Sequence, residues 1–132
     1  MKDYRSILYI IGILLCIESL AMLIPMIIDL IYSNNDWQVF FFSSFITFII
    51  GLVLCISFRN TKNKIKLKEA FLLTVFSWII IAAFASLPLM YASSNLSFSD
   101  AYFESISGIT TTGATLITNL DQMSEGILIW RA

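Results

Sequence analysis

Residues 97–115 read Ser97-Phe98-Ser99-Asp100-Ala101-Tyr102-Phe103-Glu104-Ser105-Ile106-Ser107-Gly108-Ile109-Thr110-Thr111-Thr112-Gly113-Ala114-Thr115. Ser97 and Asp100 make an S-x-x-D helix start, with Ser99 as an alternative cap directly before Asp100. The helix then continues to Gly108, a residue type that commonly ends one. About ten residues at 1.5 Å each reach about 15 Å, half of a bilayer core about 30 Å thick. A half-length apolar helix leaves its last carbonyls at mid-depth, beside the negative end of its dipole, where a cation or another polar group must satisfy them. The run that follows, Ile109 to Thr115, has no charge and little bulk. Non-helical backbone at that depth is tolerated only when buried in protein or lining a water-filled path. Carbonyls with threonine hydroxyls beside them can replace the hydration oxygens of a monovalent cation without forming the deep trap of a carboxylate. Gly113 supplies the freedom to take φ > 0 that such a carbonyl array needs. The competing reading is an ordinary threonine-rich extracellular loop. Against it, residues 107–119 hold neither proline nor charge and include Leu116-Ile117.

On either side of this segment the chain is built for lipid. Ser6 to Ile28 is apolar apart from Glu18 and a few small hydroxylated residues, and its 23 residues reach about 34 Å. Trp37 to Phe58 makes a second run, with Trp37 at the headgroup level and Arg59 closing the far end; Ala70 to Ala92 makes a third without charge. A cleaved signal peptide would have an apolar region of about 7–15 residues ending in a small-x-small site. The first run is longer and ends in Pro25-Met26-Ile27-Ile28, so it reads as a retained helix with Pro25 in its last turns, where a kink is tolerated. The expected fold is all-α and integral to the membrane. Residues 1–58 form a two-helix transmembrane hairpin and 59–69 a cytoplasmic basic loop. Residues 70–132 form a potassium-channel-like pore unit: a helix over 70–92, a half-length pore helix over about 98–108, a filter over 109–115 and the start of a truncated helix from 126. The short apolar stretch Gly126 to Trp130 is either that cut-off helix or a chain end with Trp130 as an interface anchor.

Composition agrees and excludes other classes. Of 132 residues, 58% are hydrophobic and 13% charged, against about 25% charged in a soluble domain, and the mean hydropathy is +0.86. There is no His, which removes His-based acid–base catalysis, His-ligated metals and a Ser-His-Asp triad. Two cysteines, Cys16 and Cys55, both within apolar runs, do not make a disulfide framework and read as small core residues. A net charge of −1 offers no basic stripe to nucleic acid. The basic residues are nonetheless segregated: Lys2 and Arg5 precede the first run, and Arg59, Lys62, Lys64, Lys66 and Lys68 lie between the second and third. The positive-inside rule makes the amino terminus and that loop cytoplasmic, and puts Asp29, Asp36, Asp100, Asp121 and Glu125 outside.

The string from Asp100 to Thr115, followed by Leu120-Asp121 and Ile127-Leu128-Ile129-Trp130-Arg131, resembles the first pore loop of the Trk/Ktr/HKT superfamily of potassium transporters. The two helices ahead of it resemble the Trk branch, and the resemblance covers essentially the whole chain. It implies potassium uptake across the bacterial cytoplasmic membrane, with four pore units in one complete chain, each giving a filter strand around one pore. It implies a homodimer and a cytosolic nucleotide-binding regulator of the TrkA type, no cofactor, no enzymatic activity, and potassium as the substrate. Carried onto this chain, the backbones of Thr111, Thr112 and Gly113 form one quarter of the potassium filter, with Ala114 at its outer end. With one pore unit of four, the chain is expected to be an amino-terminal fragment. The reading from a different class is a small accessory membrane protein that binds a transporter through its helices.

Two carboxylates remain. Glu18, about 12 residues into the first run, lies near the bilayer centre, where an ionised carboxylate costs at least about 2.5 kcal/mol. It reads either as a pathway carboxylate or as a neutral or hydrogen-bonded group facing another helix. Glu104 reads either as an electrostatic bias on the outer pore or as a support bonded to the filter backbone. The run Phe40-Phe41-Phe42 reads as lipid-facing or helix-packing surface.

Overall fold

The computed structural model describes residues 4–60, 64–92 and 95–132. Lys2 and Lys62, which enter the readings above, lie outside those residues. Among the described residues the fold is entirely helical. Three helical runs, Tyr4–Ile31, Trp37–Phe58 and Leu67–Tyr91, are long and apolar enough to cross a membrane.

The first run is two helices, α1 (Tyr4–Ala21) and α2 (Leu23–Ile31), interrupted at Met22. The kink that the sequence allowed near Pro25 falls at Met22, within one run of spanning length. Pro25 has no N–H for the carbonyl four residues back, Ala21, and its ring crowds that carbonyl. Met22 N–H still reaches the Glu18 carbonyl at 3.0 Å, and Met26 N–H the Met22 carbonyl at 3.4 Å, so the chain bends without breaking.

Helix α3 (Trp37–Phe58) runs back antiparallel to α1. Gly12 and Gly51 permit the close approach: a Cβ on either would lie 2.8 Å from the other's carbonyl oxygen. Between apolar helices in lipid there is little hydrophobic drive, so close packing and interhelical hydrogen bonds carry the association. The buried Ser44 hydroxyl supplies one such bond, to the Ser19 carbonyl at 2.8 Å. The phenylalanine run divides by side: Phe40 is fully buried, while Phe41 and Phe42 are exposed.

Helix α4 (Leu67–Tyr91) starts three residues before Ala70. Glu69 accepts the Lys66 N–H at 3.0 Å and thereby satisfies a donor at the helix start. Ile7, Ile11 and Leu15 of α1 pack against Leu72, Leu73, Ile80 and Phe84 of α4. A short helix α5 (Phe98–Ile109) follows, then a 3-10 turn over Leu120–Gln122 and helix α6 (Glu125–Arg131). Phe40, Leu89, Ala101 and Ile127 form a second core that joins α3, α4, α5 and α6.

Candidate functional site

Of the two capping options, α5 uses Ser97, whose hydroxyl accepts the Asp100 N–H at 3.3 Å. Its 12 residues extend about 18 Å. The Tyr102 hydroxyl donates to the carbonyl of Ile79 at 3.2 Å. Ile79 lies 12 residues before the end of α4, so α5 turns back alongside α4 into the bundle.

Gly108 does not end this helix. The chain stays helical through Ile109, and the left-handed residue is Thr111, at φ +56°. Thr112 N–H donates to the Ser107 carbonyl at 3.0 Å and Thr111 N–H to the Gly108 carbonyl at 3.1 Å, the paired bonds of a left-handed helix cap. Ile106 O accepts both the N–H and the hydroxyl of Thr110, at 2.9 and 2.7 Å. The carbonyls at 106–108 are thus satisfied within the chain, contrary to the expectation that a cation or another polar group must reach them. Ile109 likewise belongs to the helix, not to the loop.

Just beyond, the carbonyls of Thr111, Thr112 and Gly113 accept no hydrogen bond from the described residues, as is also true of Ile109, Thr115 and Leu116, whereas those of Thr110 and Ala114 are paired. Gly113 is also left-handed, at φ +76°, and Thr112 between them is not. An extended chain points successive carbonyls to opposite sides, and alternating hand at 111, 112 and 113 departs from that pattern. Hydroxyls decorate the same turn: Thr110 Oγ1 and Thr112 Oγ1 lie 2.7 Å apart, and Thr111 Oγ1 donates to the Thr110 carbonyl at 2.7 Å. Residues 111–116 are exposed.

Two side chains one helical turn apart hold the far end of this loop. Ser107 Oγ donates to the Ala114 carbonyl at 2.6 Å. Glu104, 3% exposed, accepts the Thr115 hydroxyl at 2.7 Å and the Leu116 N–H through one oxygen. Its other oxygen meets Arg131 Nε at 3.4 Å. Glu104 and Ala114 therefore meet in the same small region as Thr111–Gly113, with Glu104 gripping 115–116 and the Ala114 carbonyl turned back onto α5. Sequence reasoning missed Ser107 and Arg131. Ser107 sits three residues after Glu104, a spacing that puts both on one helix face. Arg131 read only as the close of an apolar stretch.

It also missed Asp29, placed outside by the charge pattern but fully buried. Asp29 accepts the Gly126 N–H at 2.8 Å, and Asn34 bridges to Glu125 at 2.5 Å, so the end of α2 clasps the start of α6. Trp130 packs against α4 and α3. Its indole N–H donates to the Ala85 carbonyl at 3.0 Å and its ring meets Phe40 edge-on. Glu18 is 8% exposed and turned toward a cavity it shares with Glu104 and Arg131.

Residues 36–132 match the TrkH family of cation transport proteins. The chain belongs to that family. It is 40% identical over 128 residues to the Trk system potassium uptake protein TrkH of Halomonas elongata, covering 96% of this chain and 27% of that protein. It is 37% identical to the Escherichia coli K12 protein of the same name, over 97% of this chain and 27% of that one. The crystal structure of the potassium transporter TrkH from Vibrio parahaemolyticus superposes with a TM-score of 0.92 at 36% identity, covering 98% of this chain and 28% of that one. The TrkH-family chain thus spans about a quarter of the length of these relatives. The likeness is to transport subunits, so a non-transporting accessory protein is not favoured, and a cation transport family is not one of enzymes. With three apolar runs of spanning length, it is a multi-pass membrane protein.

Proposed function

We propose that this chain carries one quarter of a potassium selectivity filter within a Trk-type potassium uptake transporter. The observation that carries the reading is the run Thr111-Thr112-Gly113, left-handed at its first and third residues, while the residues on both sides are held by Ser107 and Glu104. Alternating backbone hand turns successive carbonyls toward one side. Four such segments around an axis exchange the hydration shell of potassium for carbonyl oxygens, and the ion leaves again because no carboxylate holds it. No covalent chemistry and no cofactor enter. Glu104 and Ala114 support the segment without touching the ion.

In this reading α4, α5, the loop and α6 are the first pore unit, with α6 the beginning of its second long helix, and α1–α3 are a prefix of two spanning runs. The amino terminus and the Arg59–Lys68 loop face the cytoplasm of a bacterium. The complete protein is a homodimer gated by a TrkA-type regulator on that face. Potassium-limited growth of an uptake-deficient bacterium tests the assignment. The complete reading frame containing these residues is expected to restore growth, and residues 1–132 expressed alone are not. Failure of the complete frame to restore growth or to take up rubidium would remove the transport reading.

A further inference from the structure

Glu18 is the one buried carboxylate whose oxygens both lack a hydrogen-bond partner among the described residues. It does not face lipid. It lines a cavity of about 240 Å³ together with Glu104, Ser105 and Arg131, walled on the apolar side by Ile81 and Ala85 of α4. The lining is mostly apolar, with Leu89, Ile109 and Trp130 beside those two, and its polar groups gather at Glu18, Glu104, Ser105 and Arg131. At about 30 Å³ each, several waters fit against that polar patch, where water bridges otherwise unsatisfied groups. Arg131 presents five N–H donors in a fixed fork, and the protein gives it one carboxylate contact, through Nε to Glu104. The backbone of Arg131 lies against Gly108, close to the negative end of α5.

We propose that Glu18, Arg131 and Glu104 form one buried charge network joined across this water-holding cavity, making Glu18 a positioning residue for the filter loop. Arg131 stands between two carboxylates: it pairs directly with Glu104 and, through water, with Glu18. Glu104 in turn holds Thr115 and Leu116. The inference rests on the filter reading above. It adds that α1, ahead of the pore unit, sets the geometry of that filter through charge. Glu18 lies in the last turn of α1, four residues before the Met22 interruption, so a bend there and the network beside it move together.

The test uses the complete transporter in proteoliposomes, with rubidium uptake measured against sodium competition. Glu18→Gln is expected to lower the preference for rubidium by about threefold or more, the scale of coupling between neighbouring buried groups. Glu18→Asp is expected to recover most of it, because the charge is kept. In an Arg131→Gln background, Glu18→Gln is expected to add little. Wild-type preference in Glu18→Gln, no recovery by Asp, or the same factor in both backgrounds would overturn the network. Should Glu18→Gln fail to reach the membrane, Glu18→Asn, which keeps a shorter uncharged polar group at the cavity, carries the same comparisons. Gly113→Ser runs in parallel: if it shifts selectivity and Glu18→Gln does not, only the network falls, and if it does not, the filter reading falls and takes this inference with it.

Discussion

Thr111 adopts a backbone conformation its own side chain opposes. A β-branched residue at φ +56° costs on the order of 1–3 kcal/mol, and strain of that kind persists where the surroundings fix it. Here the surroundings are the cap bonds from 111 and 112 to Gly108 and Ser107. The sequence signalled left-handed backbone at Gly113, where glycine makes it cheap, and gave no sign of it at Thr111, where threonine argues against it. For Glu104 two readings were legible in the sequence, an electrostatic bias on the outer pore and a support bonded to backbone. Its partners at 115–116 were not, since only the fold of the loop brings them near. Glu104→Ala would orphan the Leu116 N–H and the Arg131 guanidinium together. Hydrogen bonds to charged groups contribute about 1.5–3 kcal/mol each, so thermal unfolding of the complete protein in detergent should show a fall in Tm of several degrees. An unchanged Tm would mean the loop is held by other means.

Among the elements, the long apolar runs were readable from length and hydropathy alone, and α3 occupies the very residues expected. The interruption at Met22 was less legible, because a proline near a helix end is compatible with both a kink and a clean continuation. Contacts between elements were the least legible, depending on small residues whose role appears only in three dimensions. Gly126 is the sharpest case: a Cβ there would fall on the Asp29 carboxylate. Gly126→Ala should therefore separate α6 from α2. Since α6 carries Arg131, rubidium uptake should fall at least tenfold with the protein still in the membrane, and wild-type uptake would argue that the clasp is dispensable. Gly12→Leu should act at the other interface by pushing α1 off Gly51. Its expected signature is loss of protein from the membrane fraction with no change of selectivity in what remains, read by immunoblot and sodium competition.

At the scale of the whole molecule, segregated lysines predict one orientation in the bilayer. A cysteine at position 64 should react with a membrane-impermeant reagent only from the cytoplasmic side, and one at position 95 only from outside; the reverse pattern would invert the topology. The loop at 111–116 is exposed and held from behind by Ser107 and Glu104 of α5, as the proposed filter requires. The central claim is that the Thr111–Gly113 backbone selects the ion. Its most direct test is potassium-over-sodium selectivity of the complete protein bearing Gly113→Ser, with Gly108→Ala as control. Among the described residues a Cβ at Gly113 meets nothing within 4 Å, but the backbone there, at φ +76°, is one that an L side chain strains, whereas a Cβ at helical Gly108 makes only a 3.4 Å contact with the Arg131 carbonyl. The prediction is relaxed selectivity for Gly113→Ser and wild-type selectivity for Gly108→Ala. Undiminished selectivity in Gly113→Ser would contradict the assignment of this loop as a filter.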